Sequence, residues 1–116
     1  MTDTSETLSA ADTVAGITDL LRRSMEGDTL GASLKFDYGP AGVVVIDGRK
    51  MPNEVHNRNE HADCTVTIDP HLHLRMLHGE IDQTTAFRQG KMRISGDVGI
   101  AVRLGPIVVR KMGGAS

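Results

Sequence analysis

A chain of 116 residues, 39% hydrophobic and 24% charged, is long enough to bury one core and too short for two. Its formal charge of −2 and its aromatic content of only 3% argue against a nucleic-acid partner, which asks for a basic surface and stacking rings. Cys64 is the single cysteine, so an intrachain disulfide is excluded, and the longest uninterrupted apolar run, Val43 to Ile46, is far too short to span a bilayer.

In chain order, Ser9-Ala10-Ala11-Asp12 has the form of a capping box with Asp in place of the usual Glu. Ala11, Val14, Ile17 or Thr18 and Leu21 then recur near helical spacing, which predicts an amphipathic helix over about 9–25, ended by Gly27-Asp28. Leu34, Phe36 and Tyr38 alternate with Lys35 and Asp37, the signature of a strand with one buried face. The turn sequence Gly39-Pro40-Ala41-Gly42 leads into Val43-Val44-Val45-Ile46, read as a strand covered on both sides. Asp47-Gly48 is a hairpin signal, and a weaker third strand follows over about 50–56, with Pro52 confining it to an edge or a bulge.

Ala62, Cys64, Val66 and Ile68 alternate with Asp63, Thr65, Thr67 and Asp69 as the clearest strand in the sequence. Asp69-Pro70 supplies a cap and a first-turn proline for a short helix that stops at Gly79, and Asp82 caps another over 83–88, expected to bury Ala86 and Phe87. Met92 and Ile94 mark the last clear strand. Asp97 then starts a helix through Leu104, which Gly105-Pro106 keeps from simply continuing, and residues 107–112 read equally as strand or helical turn. One helix, a run of strands, then short helices broken by one more strand predict an α+β domain: a mainly antiparallel sheet covered on one face by helices. The domain is expected over 9–112, with 1–8 and 113–116 as flexible ends.

The catalytic motifs that can be read by eye are absent: no G-x-S-x-G, no H-E-x-x-H, no G-x-G-x-x-G, and no phosphate loop around Gly90-Lys91. Among the histidines, His71 and His73 lie about 200° apart on a helix and His71 and His78 two turns apart, while His56 and His61 sit in the strand region. No metal site and no cofactor are expected, and the histidines are read as solvent-facing or capping. Cys64 falls on the apolar side of its strand, the setting of an inert thiol. Tyr38 is read as a strand-end tyrosine with its ring in the core and its hydroxyl at the surface, or else as a donor to a ligand hydroxyl. With so few aromatics, the interior is built from aliphatic residues and six methionines, which suit both a packed core and an adaptable pocket wall.

Leu77-His78-Gly79-Glu80-Ile81-Asp82, followed by Ala86-Phe87-Arg88-Gln89-Gly90-Lys91-Met92-Arg93-Ile94-Ser95-Gly96-Asp97, resembles the pattern of sterol carrier protein-2 domains. That pattern is a leucine-rich turn, a short A-F-x-x-G helix and a K-x-x-x-x-G-D strand. Upstream, Ala62-Asp63-Cys64-Thr65-Val66-Thr67-Ile68 is similar to the same family's A-D-x-T-h-T-h strand, where h is apolar; with the hairpin from Leu34 to Ile46 the likeness spans about 15–104. The resemblance implies a five-stranded, mainly antiparallel or mixed sheet with helices on one face, and between them an apolar tunnel that binds sterols, fatty acids, acyl-CoA thioesters or other lipids.

Candidate wall residues are then Phe36, Val44, Ile46, Val66, Ile68, Leu72, Met76, Phe87, Met92, Ile94, Ile100 and Leu104. Residues 91–116 carry Lys91, Arg93, Arg103, Arg110 and Lys111 against Asp97 alone, which marks Arg103 and Arg110 as candidates for an anionic headgroup. The chain ends in Gly113-Gly114-Ala115-Ser116 instead of a Ser-Lys-Leu-type address, and Met1 to Glu6 lacks the charge and apolar run of a signal peptide, so a cytoplasmic protein is expected. The expected function is binding, and transfer, of a lipid-like small molecule without catalysis. The alternatives are a small biosynthetic enzyme using the cavity as a reaction chamber, with Asp97, Tyr38 or a histidine as acid or base, and an accessory domain that docks a partner or forms a homodimer along the edge near Pro52.

Overall fold

The structure is a computed structural model and describes residues 9–24, 31–49 and 53–103. Helix α1, Ala10–Ser24, begins where expected: the Ser9 hydroxyl accepts the Asp12 N–H at 3.1 Å, the hydrogen bond of an N-cap. Its buried side chains are Thr13, Val14, Ile17, Thr18 and Leu21, a stripe at helical spacing. Five strands follow or intersperse: β1 Ser33–Asp37, β2 Val43–Asp47, β3 Glu54–His56, β4 Cys64–Ile68 and β5 Met92–Gly96. They form one sheet in the order β3-β2-β1-β4-β5, antiparallel at every pair except the parallel β1–β4.

The register aligns the apolar residues of successive strands. Val55, Ile46, Leu34 and Cys64 stand in one row across the sheet, and Val44, Phe36, Val66 and Ile94 in the next. Because side chains alternate between faces, these rows share the inner face, onto which α1, α2 (Pro70–Leu77) and α3 (Gln83–Arg88) close. A fourth helix, α4, described over residues 98–103, adds Ile100 and Ala101 to the same core. The opposite face carries Lys35, Thr65, Thr67, Arg93 and Ser95. Val43 and Val45 point to that side and are nonetheless buried, so β2 is covered on both faces as its unbroken apolar run predicts.

The Asp47-Gly48 hairpin is present: β2 and β3 pair antiparallel from Asp47 opposite Glu54, and Gly48 also exchanges hydrogen bonds with Gly31 and Ala32 in the segment before β1. The Asp47 carboxylate accepts from the backbone N–H and Nε of Arg49. Two expectations change. Phe87 is not buried: a six-residue α3 turns one narrow face inward, that face is taken by Ala86, and Phe87, 100° further round, is 55% exposed. The histidines are not uniformly at the surface, because His56 and His73 are buried. Lys50 to Pro52, Leu104 and the segment 107–112 lie outside the described residues.

The placement of α2 depends on Asp69, whose carboxylate accepts the N–H groups of His71 and Leu72 at 2.9 and 3.1 Å, with Pro70 opening the helix. Asp69→Ala is expected to cost about 1 kcal/mol, read as a lower urea midpoint at unchanged slope.

Candidate functional site

The inner face of the sheet is aliphatic along most of its length and polar at one point. Tyr38, one residue past β1, and His73, on the second turn of α2, meet there with Tyr38 Oη 2.6 Å from His73 Nδ1. Each side chain is embedded, at 4% exposure. Asp69 starts α2, and Pro70, His73 and Leu77 form its buried stripe. The imidazole lies against the Phe36 ring, centroids 4.3 Å apart, and Phe36 and Tyr38 run nearly parallel at 7°. Three rings from β1 and α2 therefore lock one another in place.

Burial governs the charge state of the pair. It pushes the Tyr38 phenol well above its ordinary value and pulls His73 from 6.5 down to about 3, so both are neutral near pH 7. Between a neutral phenol and a neutral imidazole the O–H is the better donor and the ring nitrogen the better acceptor. The Tyr38 O–H accordingly donates to Nδ1, which leaves the imidazole proton on Nε2. Among the described residues no hydrogen bond reaches Nε2, and Nε2 is not one of the fully enclosed unpartnered atoms, so its N–H is left available at the edge of the ring cluster.

One polar atom of α1 is stranded in the same core: Thr13 Oγ1 is buried and unpartnered among the described residues. Its neighbour Thr18 is satisfied. The Thr18 hydroxyl donates to the Val14 carbonyl at 2.8 Å and accepts from Asn57 Nδ2 at 3.0 Å, while Asn57 also reaches the β2 backbone at Val43 O. Arg22 donates to Val55 O at 2.9 Å. These bonds clamp α1 onto the β2–β3 side of the sheet.

Of the expected wall residues, Phe36, Val44, Ile46, Val66, Ile68, Met92 and Ile100 come together in one buried cluster. Leu72, Met76 and Ile94 pack against it half-buried, Phe87 faces outward, and Leu104 lies outside the described residues. Arg103 is exposed on α4, and Arg110 lies outside the described residues. Tyr38 departs from its reading, since its hydroxyl turns inward to His73 instead of reaching the surface. Cys64 is buried, and desolvation pushes its thiol up, which disfavours the reactive thiolate. The Asp97 carboxylate accepts the Gly99 N–H at 3.0 Å, a capping role at the start of α4. His61, His71 and His78 are exposed, and His78 closes α2 by donating its N–H to Leu74 O at 3.0 Å. His56 Nδ1 accepts the Arg58 N–H, with Nε2 3.3 Å from Glu60. Among the described residues no three His, Cys, Asp or Glu side chains gather as metal ligands do, and no helix is long and apolar enough to cross a membrane.

His73 is the site residue that periodicity misses. Reading α2 by its leucines and methionine places Leu72 and Met76 inward, whereas the buried positions are 70, 73 and 77. That i, i+3, i+7 spacing was present, with a histidine where an apolar residue is usual, and a core-facing tyrosine at 38 required a partner for its hydroxyl.

Comparison with known proteins agrees with this architecture. Sterol carrier protein 2 of Gallus gallus is 36% identical over 76 residues, and that of Homo sapiens 33% identical over the same length. Each match covers 62% of this chain and 14% of the relative, so this chain spans a small part of those proteins. The solution structure of the sterol carrier protein domain 2 of Helicoverpa armigera superposes with a TM-score of 0.69 at 26% identity, covering 87% of this chain and 89% of that one. Sterol carrier protein 2 from Yarrowia lipolytica, in its apo form, gives 0.70 at 17% identity, covering 87% and 92%. Sterol carrier protein-2 from Aedes aegypti, solved in complex with the C16 fatty acid palmitate, gives 0.64 at 20% identity, covering 87% and 96%. The family model described as the SCP-2 sterol transfer family matches residues 5–109, nearly the whole chain, and the protein belongs to that family.

Proposed function

We propose that this domain binds a hydrophobic small molecule, a sterol, fatty acid, acyl thioester or other lipid, in an apolar tunnel between the inner face of the sheet and the helices, and transfers it without chemical conversion. The observation that carries the reading is the margin of the core. Leu72, Leu74, Met76, Ile81 and Ile94 pack against the buried cluster while remaining only partly buried, so an inserted hydrocarbon chain meets apolar walls that it displaces at little cost. Each methylene so buried contributes about 0.8 kcal/mol, and a chain of a dozen carbons outweighs the cost of association without any reactive group. Met76 and Met92, unbranched and polarizable, adapt the wall to different shapes. The palmitate held by the Aedes aegypti protein, which shares the fold, supports the same reading.

Native mass spectrometry of the protein purified from cells, followed by organic extraction, tests it. A co-purifying lipid at close to one per chain is expected. A protein that travels empty and takes up none of palmitic acid, cholesterol or a palmitoyl thioester would exclude the carrier role.

A further inference from the structure

The lipid-binding reading accounts for the apolar wall and leaves the Tyr38–His73 pair unexplained. A packing role alone is better served by two apolar residues, since a buried polar pair must be desolvated and gains little over hydrocarbon. The pair is also asymmetric. The hydrogen bond at 2.6 Å uses the phenolic proton and the Nδ1 lone pair, and what remains is one N–H on Nε2, backed by Phe36 and flanked in sequence by Leu72 and Leu74, both part of the half-buried margin. An isolated donor in such a setting selects for an acceptor, because a ligand oxygen satisfies it and a purely hydrocarbon ligand leaves it stranded.

Resting on the lipid-binding reading, we infer that His73, oriented by Tyr38, is a specificity-determining residue whose Nε2–H donates a hydrogen bond to an uncharged oxygen of the bound lipid, the hydroxyl of an alcohol or sterol or the carbonyl of an ester or thioester. The oxygen is uncharged because the donor is. A neutral imidazole among apolar rings offers a hydrogen bond and no countercharge, and a carboxylate taken to the same depth loses its hydration without an ion to replace it. Tyr38 is a positioning residue. It touches Nδ1, fixes the tautomer and leaves the other nitrogen to the ligand, as a carboxylate or carbonyl partner does for many functional histidines.

The test pairs 1-dodecanol with 1-chlorododecane, of equal chain length and differing in the acceptor, in calorimetric titrations of the wild type and His73→Leu. The wild type is expected to prefer the alcohol, and His73→Leu to reduce that preference roughly tenfold, the value of one hydrogen bond in a dry site, while chlorododecane binds both proteins alike. If both probes bind the wild type and the substitution leaves their ratio unchanged, His73 is not the anchor although the lipid reading stands. If neither probe nor any lipid binds the wild type, the lipid reading itself fails and takes the anchor with it. Should His73→Leu not fold, the wild type supplies the answer: long-range 1H–15N spectra of the histidine rings are expected to show protonated Nε2 and unprotonated Nδ1 at His73, with Nε2 shifting on saturation by dodecanol. The opposite tautomer, or an Nε2 that does not move, overturns the proposal.

Discussion

Gly96→Ala is expected to remove a large fraction of the stability of the domain, about 3 kcal/mol or more, read as a drop in the urea midpoint followed by circular dichroism. Two independent costs converge. Gly96 ends β5 with φ +86, a left-handed conformation that costs a side-chain-bearing residue about 1–2 kcal/mol. A Cβ there would also sit 2.4 Å from the Asp63 carbonyl oxygen and 3.2 Å from Cys64 Cα. The atoms it meets belong to the backbone, so no rotamer change relieves the contact and the β4–β5 ladder itself must shift. The close approach is used: Gly96 pairs with Cys64, and the Asp63 carbonyl accepts the Asp97 N–H at 3.0 Å, which docks the start of α4 against β4. The Asp63 carboxylate meanwhile accepts the N–H and hydroxyl of Ser33, which holds its pKa below the usual carboxylate range and ties β1 into the same corner. Gly16 is the control. It lies exposed within α1 with nothing within 4 Å of its would-be Cβ, so Gly16→Ala should stabilise by about 0.5–1 kcal/mol.

The contrast between these glycines shows where local sequence stops being informative. Elements announced by side-chain chemistry acting within one turn were legible: the Ser9 cap, Asp69-Pro70 and Asp82 lie where they were read, and the alternations at 34–38 and 62–69 hold the strands Ser33–Asp37 and Cys64–Ile68. The β2–β3 hairpin was announced as well, by Asp47-Gly48 directly after the β2 run. So was the inner face, because strand alternation alone assigns Phe36, Val44, Val66 and Ile94 to one side. What local sequence does not contain is the rotation of α2 about its axis. Leu72 and Met76 form as plausible an apolar pair as any, and the choice of 70, 73 and 77 is made by Tyr38 and Phe36 waiting on β1, more than 30 residues upstream. Phe87 fails for the same kind of reason, since one turn of helix cannot bury two adjacent residues and only the tertiary contact decides which.

The buried imidazole also dictates how the protein responds to acid. His73 binds a proton at about 3 in the folded state, depressed by burial from 6.5; in the unfolded chain it titrates at the ordinary value. Between these two values the unfolded state holds more protons, so stability must fall as pH falls, by up to about 1.4 kcal/mol per unit. Above 6.5 both states are neutral and the contribution is flat. By pH 4 the loss from this one group is on the order of 3 kcal/mol, a large fraction of the stability of an ordinary small domain. Tyr38 does not offset it, because burial keeps the phenol neutral throughout the range, and Asp63, whose pKa is lowered by Ser33, adds its own loss only once the pH enters the acidic carboxylate range. Urea titrations at pH 7, 5.5 and 4 on the wild type and on Tyr38→Phe/His73→Leu isolate the effect. The double substitution removes hydroxyl and imidazole together and so strands neither partner. Whatever its stability at pH 7, its loss between pH 7 and 4 should be smaller than that of the wild type by about the His73 contribution. Parallel pH profiles for the two proteins would mean that the imidazole is reached by protons in the folded state, and that the ring cluster opens far more readily than its packing implies.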